Sequence, residues 1–234
     1  MNFYTRPSKT FLFDILEKKL KNCTGEIGID AACETMKNQK MFKTKKYYGI
    51  DIVLELLKKG IAKHNFEDVY GILGDLSKLD KMPDGSADVV VSTNTLYILP
   101  ANKRLVAIKH LSRITSPHGY FLCELNKDTN YQNELNTLKH YFSKMEIVYF
   151  GNSLSRAYEK IFEKKGWLGY HPIASQKPFL LLSWIISRLE YLTCQFSGPN
   201  SNSLIVCSGK ESKTTNEFNI KTLPLIEEKI YNIL

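Results

Sequence analysis

Apolar residues recur along this chain at two alternating periods, and the alternation predicts its architecture. From Ser8 to Lys21 they fall at helical spacing through Phe11, Ile15, Leu16 and Leu20, with Ser8 placed as an N-cap. Glu26–Asp30 and Lys46–Ile50 read as short strands. Ile52–His64 returns to the helical period through Val53, Leu54, Leu56, Leu57 and Ile61. Val69–Leu73 is a third strand. After the turn Pro83-Asp84-Gly85-Ser86, Ala87–Val91 is an unbroken apolar run of the kind buried on both faces. Asn102–Ile114 is a helix stopped near Pro117, and Gly119–Leu125 is a fifth strand. Such short alternation of strand and helix predicts an α/β fold with a mostly parallel sheet and right-handed crossovers.

Beyond Leu125 the pattern loosens. Tyr131–Phe142 reads as a helix, Glu146–Phe150 as a strand, Ser153–Lys165 and the strongly apolar Pro178–Leu192 as helices, and Ser203–Cys207 as a last strand. The expected organisation is one domain over residues 1–210 with a helical insertion at about 151–202. A tail over 211–234 would end in a short amphipathic helix.

Three acids close predicted strands. Asp30 ends Ile27-Gly28-Ile29-Asp30, Asp51 follows Tyr47-Tyr48-Gly49-Ile50 21 residues later, and Asp75 follows Gly74. Ser92, Thr93 and Asn94 hold the same place after the fourth strand. Ligands of open α/β sheets bind outside the carboxyl ends of the strands, and an acid one βα unit after the first turn suits ribose hydroxyls. A carboxylate can also accept from an exocyclic amine, which suits Asp75. Each aspartate alone also reads as an N-cap or turn residue.

With these segments in this order, the chain resembles a class I, Rossmann-like S-adenosylmethionine-dependent methyltransferase, and within that class the type 11 methyltransferase domain. The resemblance spans roughly Gly25–Leu125. It includes Gly74-Asp75-Leu76, the run from Pro83 to Ser92, and Leu111-Ser112-Arg113 with Pro117-His118-Gly119-Tyr120. It implies a three-layer sandwich with a seven-stranded sheet and a helical insertion before the last strand. It also implies S-adenosylmethionine as cofactor. Asp51, with Ile52 beside it, would bind the ribose, Asp75 and Leu76 the adenine, and the turn of Asp30, Ala32, Cys33 and Glu34 the methionine moiety. Ser92, Thr93 and Asn94 would line the transfer site. Lys40-Met41-Phe42 is similar to a segment of members from glycan pathways, which suggests a small-molecule or glycan-pathway acceptor.

Ala32, Glu34 and Met36 stand where this family has glycines. Glutamate at the second position restricts both positive φ and close backbone approach. One reading gives Glu34 the ammonium of the methionine moiety. The other is a loop remodelled around a weakened cofactor site, in a catalytically inactive binding or scaffold protein. Tyr97 and His171 are the candidates for the methyl-transfer side, although packing or capping is the favoured role for both.

Composition narrows the partners. At 234 residues, 43% hydrophobic and 24% charged, the chain is of ordinary globular make-up. A net charge of +8 comes from scattered lysines rather than one basic stripe, which disfavours a nucleic-acid methyltransferase. Cys23, Cys33, Cys123, Cys194 and Cys207 show no paired spacing, and the histidines lack ligand spacing, so no metal is expected and the thiols suit a reducing cytoplasm. The first fifteen residues carry Arg6, Lys9 and Asp14 and do not read as a secretory signal. Residues 178–192 could pack on the sheet, form a dimer contact or rest on a membrane as a peripheral anchor. The oligomeric state is left open.

Overall fold

The computed structural model of the chain describes residues 4–64, 67–162, 175–198, 201–211 and 214–234. Within them the elements are α1 (Pro7–Leu20), β1 (Thr24–Ala31), β2 (Lys43–Asp51), α2 (Leu54–Lys63), β3 (Val69–Leu73) and β4 (Ala87–Ser92). Then come α3 (Ala101–Ile114), β5 (Thr115–Asn126), α4 (Tyr131–Tyr141), β6 (Phe142–Phe150), α5 (Ser153–Phe162), α6 (Lys177–Thr193), β7 (Asn202–Lys210), β8 (Leu225–Glu227) and β9 (Ile230–Asn232).

The strands form one sheet in the order β6-β7-β5-β4-β1-β2-β3-β9-β8. β1 is parallel to β2 and to β4, β2 to β3, β3 to β9 and β4 to β5, while β8 and β9 are antiparallel. Ile29, Ala31, Ile50, Val89, Val90, Val91, Phe121 and Leu122 are fully buried, as strands covered on both faces must be. Chain order runs outward in both directions from β1 and β4. That reversal makes the carboxyl ends of β1 and β4 a topological switch point, the place where such sheets take ligands. Arg113, at the end of α3, ties the preceding loop together. Its guanidinium donates to the carbonyls of Leu79 (2.8 Å) and Met82 (2.7 Å) and pairs with Asp84.

The sheet has nine strands instead of the seven expected. The two additional ones come from the tail, where a helix was expected. Lys229, at φ 57°, turns the chain between β8 and β9, and β9 pairs with the free edge of β3. Ile230 and Ile233 are buried against β3 and the residue that follows it. A Cβ on Gly71 would stand 3.2 Å from Ile230, and one on Gly74 only 2.4 Å from Ile233. The apolar residues of the tail are thus used at strand register, through contacts that no local pattern reveals.

Two compact units emerge. One comprises Leu20–Leu125, Thr129–Glu146 and Ile205–Leu234, which hold most of the sheet. The other comprises Met1–Lys19, Asn126–Asp128 and Ile147–Leu204, a span that contains the expected insertion. In this second unit α1 begins at Pro7, so Ser8 lies inside the first turn instead of capping it. The Glu159 carboxylate on α5 does the capping. It accepts the Ser8 backbone N–H at 3.3 Å and the Ser8 hydroxyl.

Candidate cofactor site

β1 and β2 carry the site because their parallel register sets Asp30 opposite Gly49 and Gly28 opposite Tyr47. The period of two then gives Tyr47, Gly49 and Asp51 one face of β2. Asp30 is 1% exposed, and both of its oxygens are engaged: the Tyr47 hydroxyl donates to Oδ2 at 2.7 Å and the Asn38 amide to Oδ1 at 3.2 Å. Burial outweighs these two hydrogen bonds and pushes its carboxyl up to about 6. Asp30 therefore lies beneath the loop as an internal anchor.

The loop after β1 holds three residues in the left-handed region, Ala32 (φ 60°), Glu34 (φ 48°) and Met36 (φ 57°). These are the three positions where glycines were missing from the sequence. Cys33 and Met36 are buried, close above the sites a Cβ would occupy on Gly49 (2.6 Å from Cys33 Sγ) and on Gly60 (2.8 Å from Met36). Burial, with Asp30 and Asp51 nearby, drives the Cys33 thiol well above its usual range, so it is a packed thiol. The Glu34 side chain turns outward, about half exposed, and pairs with Lys37.

Asp51 secures this loop from the next strand. Its Oδ2 accepts the Glu34 backbone N–H and its Oδ1 the Val53 N–H, each at 2.9 Å. A carboxylate offers about four acceptor positions, so both oxygens keep capacity for a ligand. Directly beside it, Ile52 is 61% and Val53 44% exposed, an apolar edge next to a buried acid.

Asp75 makes a local turn, with Oδ1 accepting the Ser77 N–H at 2.9 Å and the Ser77 hydroxyl at 2.8 Å. Burial is the largest single influence and raises its carboxyl, but these bonds together with nearby Lys103 and Lys78 outweigh it and hold the carboxyl below the usual range. Leu76 is buried beside it. At the end of β4, Ser92 is fully buried with its Oγ unpartnered, and Thr93 is 6% exposed. Asn94 adopts φ 58° and donates its N–H to Glu124 Oε2 at 2.7 Å. Tyr97 sits in the short 3-10 turn Leu96–Ile98 after β4, half-buried. His171 lies outside the described residues. Among the described residues no cluster of His, Cys, Asp and Glu is arranged to hold a metal ion.

Four contributors escaped the sequence: Asn38, Tyr47, Val53 and Glu124. Tyr47 had a signal, since it shares the β2 face with Asp51. Glu124 had one too, as an acid within the apolar run Phe121–Leu125. Asn38 and Val53 had none without the loop geometry.

Residues 27–123 match the family described as a methyltransferase domain. This stretch is similar to a class I methyltransferase domain. The methyltransferase fold also extends beyond it. The chain is similar to the N-methyltransferase NodS from Bradyrhizobium japonicum WM9, solved with S-adenosyl-L-homocysteine, at 14% identity and a TM-score of 0.55 over 64% of this chain and 83% of that one. It is similar to the [4+2]-cyclase SpnF at 15% identity, TM-score 0.55, over 84% and 80%. The YcgJ protein of Bacillus subtilis matches at 12% identity, TM-score 0.51, over 86% and 98%. At these identities the likeness carries the fold, which evidently serves a cyclase as well as a methyltransferase. No curated protein sequence matches this chain.

Proposed function

We propose that this methyltransferase-fold chain transfers the sulfonium-bound methyl group of S-adenosylmethionine to a small-molecule or glycan-pathway acceptor. The observation that carries the reading is the left-handed loop held by Asp51. A non-glycine residue in that conformation costs about 1–2 kcal/mol, and a loop with nothing left to bind is free to relax. Ala32, Glu34 and Met36 keep the conformation, and the Asp51 carboxylate pins the middle one.

The residues present fit this cofactor. Asp51 has acceptor capacity for vicinal ribose hydroxyls, and Ile52 and Val53 offer an apolar edge to a purine face. Ser92 Oγ and Asn38 Oδ1 are buried without a hydrogen-bond partner, at the end of β4 and in the loop after β1, where a polar amino-acid end would satisfy them. The cofactor supplies an electrophilic methyl group, and the chain's contribution is positioning for in-line attack. Glu124 fixes Asn94 beside that path, and Tyr97 and His171 are the side chains we assign to the acceptor. The five free thiols support a reducing, cytoplasmic setting, and the scattered lysines support an acceptor other than nucleic acid.

A second reading, a binding protein without transferase activity, is favoured by one observation: Glu34, the added carboxylate, is paired with Lys37. Calorimetric titration with S-adenosylhomocysteine tests the shared premise. Micromolar binding is expected, and absence of heat at millimolar ligand overturns both readings. Binding without turnover across an acceptor panel would favour the second.

A further inference from the structure

Helix α6 is built inside out. Its buried positions are Ser183, Ile186, Ser187 and Glu190, three of the four polar. Each polar group is satisfied within its own unit. Ser183 donates to the Tyr4 carbonyl at 2.9 Å and Ser187 to the Trp184 carbonyl at 2.6 Å, while Glu190 accepts the Gly151 and Asn152 N–H groups, both at 3.1 Å, and the Ser155 hydroxyl. The outward face is the apolar one. Leu181 (52%), Leu182, Ile185, Leu189 and Leu192 (74%) are exposed, and Phe196 (72%) follows just beyond the helix. At 100° per residue the five helical positions fall within a stripe about 100° wide and about 17 Å long. A surface helix normally turns such a stripe to the core.

The margins of the stripe say what covers it. One flank carries Lys177, Trp184, Arg188 and Tyr191. The Arg188 guanidinium lies 5.2 Å from the Trp184 ring centre and 5.4 Å from that of Tyr191, and Lys18 of α1 holds its ammonium 4.2 Å above Tyr191. Arg188 also pairs with Asp14. Glu190 is the only acid between Lys164 and Lys210, and it is fully buried. Exposed leucines edged by Trp, Tyr, Lys and Arg, without an exposed acid on the helix, match the chemistry of a helix lying in a lipid interface. A second copy of the chain fits less well, since a stable dimer buries about 20–30 residues a side. Among the described residues no helix is long and apolar enough to cross a membrane.

We propose that the exposed face of α6 docks on the surface of an anionic membrane, with the leucines entering the acyl boundary and the Lys177–Tyr191 flank meeting the headgroups. The proposal does not depend on the cofactor reading. Flotation of the full chain with phosphatidylcholine vesicles, with and without phosphatidylserine, tests it. Flotation with the serine lipid is expected, weakened but not lost at high salt. The double variant Ile185→Ser with Leu189→Ser is expected to bind about tenfold less or weaker, with its melting temperature and S-adenosylhomocysteine affinity unchanged. Failure to float with either vesicle overturns the proposal. So does flotation that the double variant leaves intact, and so does a stable dimer in sedimentation that this variant dissociates.

Discussion

The Asp51 carboxylate accepts the backbone N–H of Glu34 at 2.9 Å, so the acid at the end of β2 holds the loop that follows β1. One side chain therefore serves two ends of the site. Asp51→Ala removes a charge-assisted hydrogen bond worth about 1.5–3 kcal/mol. S-adenosylhomocysteine affinity is expected to fall about 10–100-fold by calorimetry, with a lower urea midpoint in the absence of ligand.

The left-handed loop can be tested without touching its contacts. Glu34→Gly keeps the N–H to Asp51 and relieves the backbone, so stability is expected to rise by up to about 1 kcal/mol. Glu34→Val is expected to lower it by about 1–2 kcal/mol, because a β-branched residue is poorly tolerated at positive φ. Urea unfolding of the two variants measures both. A midpoint lowered by glycine would contradict the strain.

Asp30 predicts a pH dependence of defined sign. Its folded value, about 6, lies above the unfolded 3.8, so between these values the folded state binds a proton that the unfolded state has released. The stability it contributes is full below about pH 4, falls as pH rises through about 6, and is flat above, with a total near 3 kcal/mol. Asp30→Asn is expected to remove this slope, measured as urea midpoints across the same window.

The tail is expected to be sensitive to one methyl group. A Cβ at Gly74 would stand 2.4 Å from Ile233, a distance that side chains do not tolerate. Gly74→Ala should displace Ile233 and β9 at a cost of about 1–3 kcal/mol, seen as faster amide exchange at Ile230–Asn232. Gly198→Ala, with open space around it, is the control and should change nothing.

Local pattern carried the centre of the fold and missed its periphery. Val89–Val91 and Ile50 are buried on both faces, so apolar run and strand coincide, and the acids that follow such runs were legible as strand ends. The loop after β1 was legible as a departure, but not as a conformation. Nothing in Ala32, Glu34 or Met36 announces positive φ, because the anchor is Asp51 on another strand. Asp30 was read as a strand-end acid of the turn for the methionine moiety. Its partners Tyr47 and Asn38 come from β2 and the loop end, and only their convergence shows that it is enclosed. The tail misled for a similar reason. Its isoleucines answer to spaces left by Gly71 and Gly74, some 160 residues earlier in the chain.

The β9 ladder also changes what the sheet shows to other proteins. Without it, β3 would present a row of unpaired N–H and C=O groups, a template on which any extended peptide could add itself. The edge is instead handed on to β8, three exposed residues with a register irregularity against β9. A strand so short and uneven recruits poorly, so the tail acts as a guard against unwanted polymerisation from that side.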